Sequence, residues 1–499
     1  MKLAEKFAKE STISLVGVTF GNINRYLFTI IIARWAGVQM LGIYSLANSI
    51  LMIAESIAKL GLERGVLRHV GMLNIEEEPG KIRTLVAAAV KMTGQASMIL
   101  SLVIILLSGW FVSNVLNAAP QLRTVLTVFA LVLPLNAITN VGAFATQGLK
   151  LLKYKVIVTQ IVYPSVLVIG SGLLLLYWSD VRVIIIPVVI AAVISLIIIL
   201  IFLKKLLGLK SWHVLTASWD KALLVYSLPL MFIGILQTVM HWMDILMLGH
   251  YTNAIQVGLY HPAVRTAGLM QAVILSLMSI YTPLAAQLFG QKDEVGLTRL
   301  FKQTTRWLIT LSLPIALIFL IYPSKVMLIF GAEYLSSAPV LMILAAATFM
   351  QVVGSSAAPI IAVTGHTKLS LANSIIGLIL NVILNVFLIP EFGIMGAGIA
   401  TFISISFISI LRNIEVLSLF QITMFSRPLF KPFLAGLGLA IFLVLIKPLI
   451  MPFHTLITGA IVVLTGVPVY GLLLYLLKLE PEDREFISGI KILKNIMSR

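Results

Sequence analysis

The chain has 499 residues, of which 60% are hydrophobic and only 11% charged, with a formal net charge of +17 and no cysteine. Soluble domains carry about 25% charged residues, so composition excludes a soluble enzyme of two or three domains and points to a chain that is almost all membrane-embedded. Without cysteine there is no disulfide framework, thiolate metal site or cysteine nucleophile.

A bilayer crossing takes roughly 20 apolar residues, and on that ruler the sequence predicts about fourteen helices. The first six fall near residues 12 to 34, 39 to 60, 84 to 112, 121 to 147, 155 to 178 and 182 to 203. The rest fall near 222 to 248, 256 to 286, 302 to 323, 335 to 364, 368 to 388, 394 to 420, 430 to 450 and 455 to 477. The first run exceeds the apolar core of a typical signal peptide and is followed by ARWAGVQM without a clear cleavage pattern, so it is read as helix 1. Pro134, Pro164, Pro187, Pro229, Pro262 and Pro314 lie inside predicted spans, where membrane helices tolerate proline and kink.

Of the 36 lysines and arginines, 28 fall on one set of helix ends and 5 on the other, leaving Arg25, Lys91 and Arg265 within spans. By the positive-inside rule both termini are cytoplasmic in the cell membrane. Topology and contact with anionic membrane lipids account for the net charge, and no nucleic-acid partner is called for. The acidic cluster Glu76 to Glu78 and the run EPEDRE at 480 to 485 read as solvated cytoplasmic surface.

The chain also repeats itself at an offset of 216 residues: Gly42-Ile43-Tyr44 lies over Gly258-Leu259-Tyr260, and Gln147-Gly148-Leu149-Lys150 over Val363-Thr364-Gly365-His366. The expected fold is therefore an all-α polytopic membrane protein of two six-helix lobes related by a pseudo-two-fold along the membrane normal, with two further C-terminal helices. The expected division is 1–206 for the first lobe, 207–221 for a cytoplasmic linker, 222–420 for the second lobe, and 421–499 for helices 13 and 14 and a cytoplasmic tail.

Several polar side chains sit where hydrocarbon is expected. An arginine at mid-span costs at least about 2.5 kcal/mol, a cost that falls if Arg25 looks into a wet cavity. Asn22, Arg25 and Thr29 follow i, i+3, i+7 spacing and share one helix face, as do His261 and Arg265, and as do Gln237, His241 and Asp244. Asn136, Asn140 and Gln147, and Ser374, Gly377, Asn381 and Asn385, form two more stripes, suited either to sugar hydroxyls or to joining helices. Asp244 has two readings, an ion pair with an arginine or a protonatable coupling site beside His241. Glu55 and Lys59 read as a solvated i, i+4 pair, and Lys91 as a snorkelling lysine.

The strings SLPLMFIG (227–234), MDILMLG (243–249), VGLYHPAVR (257–265), FGAEYLSSAPVLMIL (330–344) and IPEFGIMGAGIAT (389–401), with LGIYSLANSI and KLGLERGVLR in the first unit, resemble the oligosaccharide flippases. These form the polysaccharide-transporter branch of the multidrug/oligosaccharidyl-lipid/polysaccharide exporter superfamily. The resemblance implies fourteen helices in two lobes, alternating access, and transfer of a polyprenyl-(pyro)phosphate-linked oligosaccharide from the cytoplasmic to the outer leaflet. It also implies that cationic side chains of the early helices of each lobe face a central cavity, here Arg25 and Arg265 and, less directly, His241. Guanidinium forks match phosphate oxygens and stay ionised. The substrate-binding set expected on this footing is Arg25, Arg265, His241, Asn22, His261, Asn140 and Asn381, with Asp244 for coupling to protons or sodium. Other polysaccharide-assembly membrane proteins are expected partners.

No catalytic set accompanies these residues. The predicted outer loops are short, the longest about fifteen residues around 324 to 338, and no G-x-x-x-x-G-K-[S/T] loop, paired catalytic carboxylates or histidine metal cluster occurs. The expectation is a carrier without metal or cofactor, not an enzyme. A cation-coupled multidrug and toxin extrusion type exporter is the rival reading: it would suit an acidic or aromatic cavity better than an arginine-lined one.

Overall fold

The structure is a computed structural model that describes residues 3–73, 77–116, 120–478 and 480. Glu76, and the acidic run and tail beyond 480, lie outside the described residues. Among the described residues all regular structure is helical, and fourteen helices are long and apolar enough to cross a membrane. They are α1 (Val16–Ala36), α2 (Val38–Ala58), α3 (Pro79–Asn114), α4 (Pro120–Gly148), α5 (Leu152–Leu174), α6 (Arg182–Leu207) and α7 (Lys221–Tyr251). They continue as α8 (Ala254–Gly290), α9 (Glu294–Ile321), α10 (Ala332–Val363), α11 (Thr367–Phe392), α12 (Ile394–Phe420), α13 (Arg427–Ile450) and α14 (Thr455–Leu476). The chain is thus a multi-pass membrane protein of the expected class.

Where the structure departs from the apolar runs, polar chemistry explains the difference. Helix α9 begins at Glu294, ahead of the apolar run, because the Asp293 carboxylate accepts from Gly296 N at 2.8 Å and starts the helix among charged residues. Two short helices were not expected, Leu62–Met72 and Ser211–Thr216. Lys91 does not simply snorkel: its Nζ donates to Leu215 O at 2.9 Å and Ala217 O at 2.8 Å, satisfying carbonyls at the end of the second short helix.

The chain packs as two units, one of residues up to 262 together with 385–397, the other of 263–384 with 398 onward. In the first, α4 is the central helix, packed against α2, α3, α6 and Leu62–Met72. Its core is a continuous apolar cluster that includes Val86, Val90, Val141, Ala145, Ile199 and Leu203. Helix α7 packs on α2 in the same unit, so the packing boundary does not coincide with the repeat boundary near residue 206. In the second unit α9 packs on α10 and α13, and α13 on α14. Gly436 gives α13 its close approach to Leu313, and Tyr322 OH donates to Leu443 O at 2.6 Å.

Candidate functional site

Helix α1 can approach α5 closely because its facing residues are glycines. A Cβ on Gly17 would lie 2.0 Å from Val156 Cγ1, and one on Gly21 would lie 2.8 Å from Gln160 O. Arg25 continues that face one turn on. Opposite it, α5 is not a regular α-helix: Ile157–Val162 is a π-helical turn, in which Tyr163 N donates to Val158 O rather than to Thr159 O. The next residue is Pro164, which has no N–H. Thr159 O therefore lacks a donor in either helical register, and the Arg25 guanidinium supplies one, Nη2 to Thr159 O at 3.0 Å. Nη1 donates to Gln160 Oε1 at 3.0 Å and to Asn22 Oδ1 at 3.4 Å. These three acceptors are neutral. Arg25 is half-buried, Asn22 exposed, and Thr29 buried with its hydroxyl donating back to Arg25 O at 3.0 Å.

One face of α4 continues the polar surface. Asn140 Nδ2 donates to Glu55 Oε1 at 3.2 Å, and the same oxygen lies 3.5 Å from Lys59 Nζ. Gln147 Oε1 accepts from Lys155 Nζ at 2.7 Å, and that ammonium sits over the Phe144 ring, 3.5 Å from its centroid. Of the two readings open for this stripe, sugar hydroxyls or the joining of helices, these contacts show it joining α2, α4 and α5. The Glu55–Lys59 pair is present but is not solvated: Glu55 is 6% exposed because α4 covers it. Asn140 Oδ1 is buried and has no hydrogen-bond partner among the described residues.

The acidic position lies on α7. Asp244 Oδ1 accepts from Asn385 Nδ2 of α11 at 2.7 Å, and Oδ2 accepts from Tyr260 OH of α8 at 3.3 Å. Asn385 is fully buried and Asp244 half-buried, all within the first unit. His241, one turn earlier, is exposed and meets Trp242 edge-on at 5.1 Å. His261 is 2% exposed and packed into the first unit. Arg265 and Asn381 are half-buried residues of the second unit. There Asn373 Nδ2 donates to Glu415 Oε2 at 2.6 Å, and Arg306 is 6% exposed.

Sequence reasoning did not single out Gln160, Thr159, Tyr260 or Lys155. Two signals pointed to the first pair: the spacing Gly17-Val18-Thr19-Phe20-Gly21, which lets two membrane helices approach, and Pro164, which frees carbonyls in the preceding turn. Tyr260 stood out only in the repeat and not as a partner of Asp244, and Lys155 carries no such local mark.

The chain matches the family described as Polysaccharide biosynthesis protein over residues 31–339, more than half its length. It belongs to that family. A relative is the protein named Probable low-salt glycan biosynthesis flippase Agl15 of Haloferax volcanii, 26% identical over 172 residues, 34% of this chain and 36% of that one. A membrane protein of Methanocaldococcus jannaschii is 25% identical over 165 residues, 33% of this chain and 32% of that one. The matched segment thus spans about a third of the length of these curated relatives. Among solved structures, lipid II flippase MurJ in an inward closed conformation superposes with a TM-score of 0.71 at 14% identity, covering 92% of this chain and 97% of that one. An inward-facing multidrug resistance MATE family transporter of the MOP superfamily gives 0.67 at 13%, covering 80% and 94%. At these identities the likeness is one of fold. The Polysaccharide biosynthesis protein family is therefore represented here by the helical fold that MurJ and MATE transporters share.

Proposed function

We propose that this member of the Polysaccharide biosynthesis protein family is a flippase. It carries a polyprenyl-(pyro)phosphate-linked oligosaccharide repeat unit from the cytoplasmic to the outer leaflet of the cell membrane, for surface polysaccharide biosynthesis. It is a carrier, not an enzyme. It works by alternating access of two repeat lobes, 1–206 and 222–420, joined by a cytoplasmic linker at 207–221, with both termini cytoplasmic and helices 13 and 14 outside the repeat. The observation that carries the reading is a half-buried guanidinium in mid-span, Arg25, fixed in orientation by Gln160 and the Thr159 carbonyl. A phosphate headgroup cannot cross hydrocarbon unaided, and an oriented guanidinium fork is the side chain that matches its oxygens.

In this reading Arg25, Arg265 and His241 hold the headgroup, while Asn22, His261, Asn140 and Asn381 serve the sugar hydroxyls. The prenyl tail stays in lipid. Asp244, gripped by Asn385 and Tyr260, is the coupling carboxylate for protons or sodium. The test is reconstitution into proteoliposomes with a fluorescent polyprenyl-diphosphate oligosaccharide in the inner leaflet. Arg25→Ala and Arg265→Ala are expected to insert normally and to lose transfer; undiminished transfer by both variants sinks the proposal. A coupled drug exporter is favoured by one observation, the carboxylate at Asp244 in a fold shared with MATE transporters. Drug efflux by the wild-type chain in a sensitised strain, abolished by Asp244→Asn, would establish it instead.

A further inference from the structure

The segment joining α6 to α7 has two apolar faces, and only one of them is covered. Its inner face, Leu209 at 4% exposure and Ala217 at 8%, packs with the core of the first unit. Its outer face presents Trp212 at 69%, Leu215 at 73% and Trp219 at 55% exposure. Trp212 and Leu215 are three residues apart on Ser211–Thr216 and share one side of that helix. Four exposed lysines flank them, Lys204, Lys205, Lys210 and Lys221. The segment's one carboxylate, Asp220, caps α7 by accepting from Leu223 N at 2.9 Å.

Helix α3 sets the depth of this face. Lys91 holds the carbonyls of Leu215 and Ala217, and Gln95 Oε1 accepts from Trp219 Nε1 at 2.9 Å. The first strongly exposed apolar residues of α3, Met98 at 66% and Ile99 at 67%, follow Gln95 by only about 4.5 Å of helix rise. The linker is therefore pinned, through Gln95 and Lys91, about one to two turns before the level where α3 begins to face hydrocarbon. Indole rings with one polar edge belong at that boundary.

We infer that the linker at 208–220 is an interfacial anchor, whose Trp212–Leu215–Trp219 face is immersed in the membrane interface while Lys210 and the flanking lysines Lys204, Lys205 and Lys221 bind anionic phospholipid headgroups. The inference needs the multi-pass placement but not the transport reading, so failure of the transfer assay leaves it standing.

The chain has no cysteine, so Leu215→Cys and Trp212→Cys each give a single spin-label site without prior cysteine removal. Both positions are exposed, so neither change disturbs the fold, and Met98→Cys and Lys81→Cys on α3 supply the lipid and water references. In vesicles of phosphatidylcholine with phosphatidylglycerol, labels at 212 and 215 are expected to relax with oxygen as at 98 and to be shielded from a water-soluble nickel chelate. Spin-labelled phosphatidylglycerol is expected to lose preference over phosphatidylcholine by about fivefold for each of Lys204, Lys205 and Lys210 changed to glutamine. Nickel access like that at 81 overturns the inference, as does a label shielded from both reagents, which would mean a protein partner covers the face. An unchanged headgroup preference in the lysine variants overturns the anionic-lipid half.

Discussion

Gly42 and Gly258, equivalent positions of the two repeats, cross each other's helices. A Cβ on Gly42 would lie 1.7 Å from Ala254 O, and one on Gly258 would lie 2.0 Å from Val38 O. Residues 254 and 258 are 38 and 42 displaced by 216, so the two contacts are the same contact made twice, as a local two-fold requires. Each glycine meets backbone, which cannot swing aside as a flexible side chain can.

Substitution here is accordingly expected to separate α2 from α8. Gly42→Ala and Gly258→Ala should each destabilise the protein by about 1–3 kcal/mol, the usual range for overpacking, and leucine at either site should prevent stable folding. Gly172, where an added Cβ meets nothing within 4 Å, is the control: Gly172→Ala should change stability by less than about 0.5 kcal/mol. Thermal unfolding in detergent measures all of them.

Arg25 and the π-helical turn of α5 form a second relationship with a measurable consequence. Arg25→Lys keeps the charge but loses the planar fork that serves Gln160 and Thr159 together. It should therefore bind polyprenyl phosphate more weakly than wild type. Arg25→Ala should cost about 1.5–3 kcal/mol of stability through the charged hydrogen bonds lost. A double-mutant cycle with Gln160→Ala should return a coupling of about 0.5–3 kcal/mol; additive effects would mean that Gln160 does not hold the guanidinium.

Glu55 is the buried carboxylate of α2, and its partners on both sides are within reach of mutation. Lys59→Met leaves that carboxylate without its cation and is expected to destabilise by about 3–5 kcal/mol, the range for breaking one side of a buried pair. Adding Glu55→Gln should recover most of the loss, because the amide oxygen still accepts from Asn140 Nδ2. A double variant no more stable than Lys59→Met alone would show that the carboxylate is not the liability.

Asp244→Asn keeps the size of the side chain and an oxygen for Asn385 or Tyr260, but removes the charge. Ordered protein with transport that no longer responds to a proton or sodium gradient is the expected outcome, read by imposing each gradient across proteoliposomes. Retained ion dependence would move coupling to another group.

Most of the architecture was legible because a membrane helix announces itself over about 20 residues. One match of the internal repeat, Gly42 over Gly258, was legible because a close backbone approach favours glycine. The site was legible only in outline. Arg25, Asn140 and Asp244 stand out as polar residues in apolar runs, but their partners Gln160, Glu55 and Asn385 lie 135, 85 and 141 positions away. No local pattern encodes such distances. The Asn136–Asn140–Gln147 stripe has the same spacing whether it faces sugar or a neighbouring helix, and only packing shows that Asn140 meets Glu55 and Gln147 meets Lys155.

By itself, the sequence determined the number of spans, their apolar character and the repeat offset, because these follow from length, hydropathy and glycine placement along one dimension. The tertiary structure alone decided that Glu55 is dry, that Lys91 pins a linker helix, and that a guanidinium completes the backbone of α5. Burial and hydrogen-bond completion depend on what a second helix brings to the same place, and that is a property of packing, not of order along the chain.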